Sequence, residues 1–320
     1  MPDLATINGV AEDDIATYNG TTAADVTGIG GATWVHQLEF MTASGGTILT
    51  VGDYKVHKFT GSGTFTVSAV GYSGTYGESI YVLAVGGGAG GGGGNSWGAG
   101  GGGGGMAYHT TYGKDVTVQG YTVTVGGAGN GGNSGNTVVN SGSAAYNGGN
   151  STVHSVTGYG GGAGGVGTSA GTGASGGCGG GSGSHTPSEG RIPGSGTQGT
   201  GGTAHYGNDG GWGDNHQGRG GGGGGCGSVG GNSGFNSPTG GAGGSGRADS
   251  ITGSSVTYAA GGSGAASNSA TGASASANTG SAGGGAHGNP AGNGGSGIVF
   301  VKYKFQYDQI WLISQRSKMA

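Results

Sequence analysis

The stretch Ile80-Tyr-Val-Leu-Ala-Val-Gly-Gly-Gly-Ala-Gly-Gly-Gly-Gly-Gly94 joins an apolar run directly to polyglycine. The apolar run, short and rich in β-branched residues, has the composition of a buried strand. The glycines that follow do not suit a helix, because each costs about 1 kcal/mol relative to alanine at a helical position. This segment therefore predicts a chain in which β-strands lead into glycine-rich insertions.

Glycine dominates the whole chain, with 94 of 320 residues, while charged residues make up only 8%. Ordinary proteins contain about 7% glycine and about 25% charged residues. Collagen is excluded, because it needs glycine at every third position and abundant proline, whereas this chain has irregular spacing and 5 prolines. Disorder is disfavoured by 14 tyrosines and a net charge of −4. We expect an ordered, mainly β protein without substantial α-helix.

Candidate strands recur from Gly46 onward, as β-branched and aromatic runs bounded by Gly, Ser or Asp. They are 47–51, 54–60, 64–70, 80–85, 105–111, 115–119, 121–125, 136–140, 151–156, 255–259 and 297–305. We predict that they form a β-sandwich or jelly-roll-like core. Because the clearest candidate is the last one, we expect the core to be closed by pairing the beginning of the chain with its end.

The glycines are concentrated in insertions at 86–105, 126–150, 158–246 and 261–295. A polyglycine chain of the polyproline II type has three residues per turn and no internal hydrogen bonds. Its N–H and C=O groups therefore need partners on neighbouring chains. We predict that the insertions pack as a polyglycine II helix bundle, with Ala, Ser, Asn and Thr facing outward. The alternative is that they are flexible linkers.

The N-terminal segment contains an 11-residue repeat: Asp3–Gly9 recurs as Asp14–Gly20 and, in degenerate form, as Asp25–Gly31. This period fits a right-handed coiled coil, but Asn-Gly in the first two copies is a tight-turn signal. We favour short β segments joined by Asn-Gly turns, and we assign residues 1–45 to attachment or oligomerisation. The apolar residues expected to make that contact are Leu4, Ile7, Ile15, Tyr18, Val26 and Ile29.

Motifs for catalysis, metals and nucleic acids are weak. Gly-x-Gly-x-x-Gly arises by chance at this glycine content, and no Gly-x-Ser-x-Gly elbow lies on a strand-to-helix turn. The eight histidines lack metal-site spacing. With 10 basic against 14 acidic residues there is no electrostatic footprint for nucleic acid. Cys178 and Cys226 lie in glycine runs and are interpreted as small apolar fillers. We expect no enzyme activity, cofactor, metal or nucleic-acid partner.

Two stretches, His185–Pro193 and His205–Arg219, interrupt the glycine-rich block with aromatic and charged residues. Aromatic and arginine side chains contribute much of the contact energy at interfaces, and binding residues often lie on loops of a rigid scaffold. The stretches either recognise a receptor or only turn the chain, with Trp212 capping the bundle. The candidate receptor-binding residues are His185, Arg191, His205, Tyr206, Trp212, Asp214, His216 and Arg219.

Several motifs together match the pattern of a known family. They are the strand-to-polyglycine segment Tyr81–Gly94, the strand and glycine run Tyr121–Gly132, the closing Gly-Gly-Ser-Gly-Ile-Val-Phe-Val-Lys-Tyr at 294–303, and the N-terminal repeat Ile7–Gly20. In these motifs the chain resembles the glycine-rich proteins of bacteriophage tail fibres and tail tips. The resemblance implies a polyglycine II bundle of the kind found in the distal receptor-binding adhesin of some T-even-like phages.

The resemblance implies a virion protein, a tail-fibre or tail-tip adhesin that binds a host cell-surface protein or polysaccharide. Residues 1–45 would contact other virion proteins, 46–305 would form the glycine-rich β domain, and 306–320 would be a tail outside the resemblance. The family also implies a trimer. The alternative is a purely structural fibre, head-decoration or capsid-associated protein. The first residues lack a basic region followed by an apolar one, so we expect synthesis in the host cytoplasm without a signal peptide.

Overall fold

The structure, a computed structural model, describes residues 40–71, 77–94, 97–133, 145–167, 171–183, 192–214, 218–234, 239–266 and 271–305, and six two-residue strands near the N-terminus. These residues form β-strands and no helix, which confirms the mainly β fold class. In this part of the chain there is accordingly no helical segment that could span a membrane.

The strands are numbered in chain order. They are β1 (Thr6–Ile7), β2 (Val10–Ala11), β3 (Thr17–Tyr18), β4 (Thr21–Thr22), β5 (Gly28–Ile29), β6 (Ala32–Thr33), β7 (Thr42–Ser44), β8 (Thr47–Val51), β9 (Tyr54–Phe59), β10 (Gly63–Ala69), β11 (Ser79–Val85), β12 (Met106–Asp115), β13 (Gly120–Thr124), β14 (Ser151–Val153), β15 (Val156–Gly158), β16 (Gly199–Thr200), β17 (Ala204–Tyr206), β18 (Arg247–Asp249), β19 (Val256–Tyr258) and β20 (Ile298–Lys304).

Two six-stranded antiparallel sheets pack face to face. The first has the order β16-β15-β14-β13-β10-β7, and the second has the order β17-β12-β11-β20-β9-β8. Phe65 and Val123 of the first sheet share one buried cluster with Val82 and Val299 of the second, as in a β-sandwich. The last strand, β20, lies between β11 and β9, which confirms that the end of the chain pairs with its beginning.

The second sheet is covered on both faces. In β20, Val299 and Val301 face the sandwich core, whereas Ile298 and Phe300 face a second buried cluster that includes Tyr258 of β19. Side chains alternate between the two faces of a strand, so a strand covered on both sides must be apolar throughout. This explains the unbroken apolar runs of β11 and β20.

Between the strands the chain continues as extended glycine-rich segments that alternately leave the sandwich and return to it. The outgoing segments are 86–94, 125–133, 159–167, 176–183, 207–214, 228–234, 259–266 and 280–287. The returning segments are 97–105, 145–150, 171–175, 192–198, 218–226, 239–246, 271–276 and 290–297.

Hydrogen bonds between these segments have a period of three. Every third residue from Gly86 to Gly92 donates its backbone N–H to segment 97–105. Gly87 and Gly90 donate to segment 145–150. Gly88 and Gly91 donate to segment 290–297. Three residues per turn is the period of the polyproline II helix. This is the hydrogen-bond pattern predicted for a polyglycine II bundle.

Segment 86–94 is enclosed by six hydrogen-bonded neighbours. The three that accept its N–H groups are described above, and three others donate to its carbonyl oxygens: 125–133, 159–167 and 280–287. Segments 97–105 and 218–226 are each bonded to six neighbours in the same way. The insertions therefore satisfy the backbone groups that a lone polyglycine helix leaves without partners.

Contrary to expectation, alanines of the insertions do not all face outward. Ala89, Ala99, Ala163 and Ala286 each have 0% relative exposure. The reason is that a segment surrounded by six others has no solvent-facing side. An alanine in such a segment has to fit between neighbouring chains, as do Cys178 and Val166, which are also fully buried.

Two strand predictions are wrong in detail. Residues 115–119 do not form a separate strand: β12 extends to Asp115, and the chain then turns, with the N–H of Thr117 donating to Tyr121 Oη at 2.7 Å. Residues 151–156 are not one strand but belong to the hairpin of β14 and β15, which turns at His154 and Ser155 with φ of 44° and 62°. The strands β7, β16, β17 and β18 were not predicted, and the candidate at 136–140 lies outside the described residues.

The N-terminal repeats form three hairpins, β1–β2, β3–β4 and β5–β6. Ile7 pairs with Val10 across the dipeptide Asn8–Gly9, and the same register recurs eleven residues later in β3–β4. The prediction of short β segments in the N-terminal repeat is thus confirmed, and the coiled-coil alternative is not. The segment ends in β7, which pairs with β10 of the sandwich. Outside the described residues lie Leu4, Ile15, Val26, the side chains of Ile7, Tyr18 and Ile29, and the tail 306–320.

A buried histidine lies in the sandwich core. His57 has 0% relative exposure, and its ring contacts that of Phe65 edge-on at 5.0 Å between centroids. Its Nδ1 donates to the carbonyl oxygen of Gly45 at 2.7 Å, while its Nε2 has no partner in the described part of the chain. Burial lowers the pKa of His57, and this effect together with the positive charge of Lys55 outweighs the hydrogen bond to Gly45, which raises it. The folded protein therefore disfavours the charged form of His57.

We expect the free energy of unfolding to decrease as the pH falls below about 6.5, by up to about 1.4 kcal/mol per pH unit for this group. Over that range the unfolded chain binds a proton at His57 and the folded chain does not. Urea unfolding at pH 7.0 and 5.5 measures the effect. The variant His57→Phe removes the titrating group and should show a smaller pH dependence than the wild type. An undiminished dependence in the variant would contradict the assignment.

Candidate functional site

The outgoing and returning segments meet at the end of the bundle opposite the sandwich, which we call the tip. Of the connections between them, 287–289 lies within the described residues. The connections at 95–96, 134–144, 168–170, 184–191, 215–217, 235–238 and 267–270 lie outside the described residues. The described ends of the outgoing and returning segments thus lie together at the tip, as the hydrogen bonds from Asp214 to Arg219 and from Gly288 to Gly94 show.

Trp212 lies next to the tip on a fixed backbone. Its N–H donates to Asn232 Oδ1 at 2.8 Å, and its carbonyl oxygen accepts the N–H of Ser233 at 2.9 Å. The side chain is nevertheless 50% exposed. A large aromatic group is therefore presented to solvent from a backbone that neighbouring segments hold in place.

Asp214 and Arg219 flank the 215–217 connection. The N–H of Asp214 donates to the carbonyl oxygen of Arg219 at 2.8 Å, and Ser233 Oγ donates to the same oxygen at 3.2 Å. The Asp214 side chain is buried. Two guanidinium nitrogens of Arg219, Nε and Nη1, are buried without a hydrogen-bond partner among the described residues. The tip thus contains an arginine with two N–H groups that have no hydrogen-bond acceptor among the described residues.

A second tryptophan, which the sequence did not single out as a binding residue, also lies at the tip. Trp97 stacks on His287 with 4.4 Å between ring centroids and 25° between planes. Its ring packs so closely on Gly218, where φ is +73°, that a Cβ there would overlap it. The sequence feature that could have indicated Trp97 as a binding residue is its position directly after Asn95 and Ser96, which interrupt the glycine run.

The structure divides the predicted receptor-binding residues. Trp212, Asp214 and Arg219 lie together near the tip, whereas His205 and Tyr206 lie on or next to the sandwich in β17. An extended chain of polyproline II type rises about 3.1 Å per residue, which separates Tyr206 from Trp212 by about 19 Å. His185, Arg191 and His216 lie outside the described residues.

Tyr206 instead lines a depression at the base of the bundle. The guanidinium carbon of Arg247 lies 3.6 Å from the centroid of its ring, and Tyr108 contacts this ring edge-on at 5.6 Å. The depression has a volume of about 220 Å³ and is lined by Tyr108, Ala204, Tyr206 and residues 247–249. An adjoining depression of about 230 Å³ extends along β11 to Lys302.

The polar groups of these depressions mostly bind one another. Burial raises the pKa of Tyr108, as do the charge of Asp249 and a hydrogen bond to it, so the phenol stays protonated. Asp249 also accepts the N–H of Ile251 at 2.7 Å. Lys302 Nζ lies over the rings of Tyr54 and Tyr81, at 4.5 and 5.0 Å, and burial lowers its pKa. This arrangement stabilises the hairpin β18–β19 against the sheet.

The tip is therefore the better candidate for recognition, because it combines an exposed tryptophan, a stacked aromatic pair and an incompletely bonded arginine. A metal centre finds no support in the described part of the chain, where no group of three or more His, Cys, Asp or Glu side chains is placed to hold an ion.

Comparison with known proteins gives one relationship. A family model described as a glycine-rich domain matches residues 60–304, a range that includes the strands from β10 to β20 and all the segments of the bundle. No curated protein matches the chain. Because the family model spans more than half of the sequence, the chain belongs to the glycine-rich domain family.

Proposed function

We propose that the protein is a bacteriophage virion protein, a tail-fibre or tail-tip adhesin whose bundle tip binds a host cell-surface polysaccharide or protein. The observation that carries the proposal is the placement of the segment ends. Each outgoing segment is followed by a returning one, so the ends of these segments lie together at the tip, on a scaffold fixed by backbone hydrogen bonds. Loops held by a rigid scaffold are a common location of binding residues.

The chemistry of the tip suits such a ligand. Trp212 offers an exposed ring, and Trp97 and His287 add a stacked pair. Tryptophan combines a large apolar face with an N–H donor, which fits the face of a sugar ring or an apolar side chain of a receptor loop. The backbone of Arg219 lies near that of Trp212, since Ser233 Oγ donates to the carbonyl oxygens of both residues. The half-buried side chain of Arg219 would add a positive charge that attracts a carboxylate of the ligand.

The N-terminal hairpins support the proposed attachment role of residues 1–45. A hairpin of two short strands is marginal on its own in water. Each of the three hairpins is a separate two-stranded sheet among the described strands, which favours packing on another virion protein or on copies of the same chain. In this proposal the protein forms a trimer whose tips point away from the particle.

Replacing Trp212 by alanine is expected to weaken binding to outer-membrane fractions of a susceptible host about tenfold or more, as for other tryptophan hot spots. Folding should be unaffected, because the half-exposed ring makes a limited contribution to packing. Sedimentation of the purified protein with the membrane fraction measures the affinity. The matched control is Val118→Ala, since Val118 is 59% exposed in the turn between β12 and β13, away from the tip.

Equal affinities of the two variants would argue against the assignment of the tip. The purely structural alternative is tested separately, by locating antibodies against the protein on virions by electron microscopy. Labelling of the distal end of the tail supports an adhesin. Labelling of a regular head lattice, together with no affinity of the wild type for host membranes, would refute it.

A further inference from the structure

The two cysteines of the chain lie side by side at the base of the bundle. Cys178 and Cys226 are 48 residues apart in sequence and belong to different segments, 176–183 and 218–226. Their sulfur atoms are 3.7 Å apart. Both are present as free thiols, so the interpretation of each as a separate apolar filler misses their proximity.

The register of the two segments explains this proximity. The N–H of Gly221 donates to the carbonyl oxygen of Ser182, and that of Gly224 donates to Gly179. The segments therefore run antiparallel, and the same register sets Cys178 beside Gly225, the residue before Cys226. The short distance between the sulfur atoms thus follows from a backbone pairing that extends over several residues.

Both side chains point into one apolar compartment. Cys178 is 0% and Cys226 is 4% exposed, and they share a cluster with Met106 and Phe300. Cys226 Sγ donates to a carbonyl oxygen of Gly104 or Tyr206, each at 3.1 Å. Burial raises the pKa of the Cys226 thiol. Since the thiolate is the reactive form, its raised pKa and its burial protect Cys226 in the closed bundle, and burial also shields Cys178. Oxidation of the pair would therefore take place while the base is open, during folding.

We propose that Cys178 and Cys226 form an intramolecular disulfide, by exchange with a small-molecule disulfide such as oxidised glutathione while the base assembles. One cysteine thiolate attacks a sulfur of oxidised glutathione and releases one glutathione thiolate, which leaves a mixed disulfide. The second cysteine thiolate then attacks the protein sulfur of that mixed disulfide and releases the second glutathione. In total the two thiols lose two protons and two electrons, and one oxidised glutathione becomes two reduced molecules.

The bond would link the segments on either side of β17 and enclose the connections at 184–191 and 215–217. Closing a loop of this length restricts the unfolded chain. We expect the Tm to rise by about 10 °C relative to the dithiol form. Reductants should then act slowly on the folded protein, because the sulfur atoms are buried. The inference does not depend on what the tip binds.

The test compares refolding from guanidinium in a reducing buffer with refolding in a mixture of oxidised and reduced glutathione. The reducing arm provides the folded dithiol reference by circular dichroism and gel filtration. In the oxidising arm we expect a monomer that has lost about 2 Da and contains no free thiol, with a peptide that links Cys178 to Cys226. The controls Cys178→Ser and Cys226→Ser should show neither the mass loss nor the rise in Tm.

Two free thiols, two glutathione adducts or disulfide-linked dimers in the oxidising arm would each overturn the proposal, provided that the reducing arm yields folded protein. Should the wild type fail to refold, the same mass and peptide measurements are made on protein expressed in an oxidising compartment and in a reducing one. Free thiols in both preparations would equally reject the disulfide.

Discussion

Replacing Gly91 by alanine is expected to lower the free energy of unfolding by about 3 kcal/mol or more, at the upper end of the cost of overpacking. Gly91 lies in the central segment 86–94, where its N–H donates to Gly292 and its carbonyl oxygen accepts from Gly132. A Cβ at this position would overlap the carbonyl oxygen of Gly284. The obstruction is backbone that other segments hold in turn, so it cannot move aside as the end of a flexible side chain could.

The matched control is Gly127→Ala. Gly127 lies in the outer segment 125–133, its carbonyl oxygen accepts the N–H of Gly149 at 2.9 Å, and a Cβ there would meet nothing within 4 Å. It does not have a positive φ, so alanine should leave stability unchanged or raise it by about 0.4–1 kcal/mol through the unfolded state. Guanidinium unfolding of both variants measures the difference, and equal losses of stability would contradict a role for close packing at Gly91.

The strands were predictable because their signal is local. A run such as Ile80–Val85 carries its β-branched composition within a few residues, and the structure places it in β11. The error at 115–119 arose because β12 continues through polar residues, whose pairing with β11 depends on the neighbouring strand. The short strands β7 and β16 to β18 were missed because a run of two or three residues is too short to show a strand pattern.

The bundle was predictable in kind but not in arrangement. A polyglycine segment makes no internal hydrogen bonds, so its N–H and C=O groups need partners on other segments of the chain. This requirement holds whichever segments supply the partners. Which segments become partners is a non-local matter: Gly88 donates to Gly295, and nothing in the irregular spacing of glycine indicates that pair. For the same reason the sequence did not show that Ala89 would lie in an enclosed segment, or that Cys178 would lie beside Cys226.

The candidate site was only partly predictable, because the composition contrast of His205–Arg219 identifies a stretch and not a surface. An extended chain of polyproline II type rises about 3.1 Å per residue, so this stretch is long enough to run from the base of the bundle to the tip. Trp212 and Arg219 reach the tip, while Tyr206 stays on the sandwich beneath Arg247. Trp97 joins the tip from a distant part of the sequence.

The sandwich and the bundle are expected to unfold together, because each segment of the bundle begins or ends near a strand. Phe300 tests this coupling. It is fully buried in β20, between β11 and β9, and its ring contacts that of Tyr258 edge-on at 6.0 Å. Phe300→Ala is expected to lower the free energy of unfolding by about 3–5 kcal/mol, the usual cost of removing a buried phenylalanine ring.

Because β11 leads directly into segment 86–94 and β20 follows 290–297, opening of the sandwich should release the sandwich end of each of these two segments. Peptide-resolved hydrogen exchange should therefore show an equal loss of protection in 86–94 and in β20 of the variant. The control Ile48→Ala, at a side chain 48% exposed on β8, should change stability by less than about 0.5 kcal/mol. Wild-type protection of 86–94 in Phe300→Ala, beside a deprotected β20, would show instead that the polyglycine bundle is held by its own hydrogen bonds and folds without the sandwich.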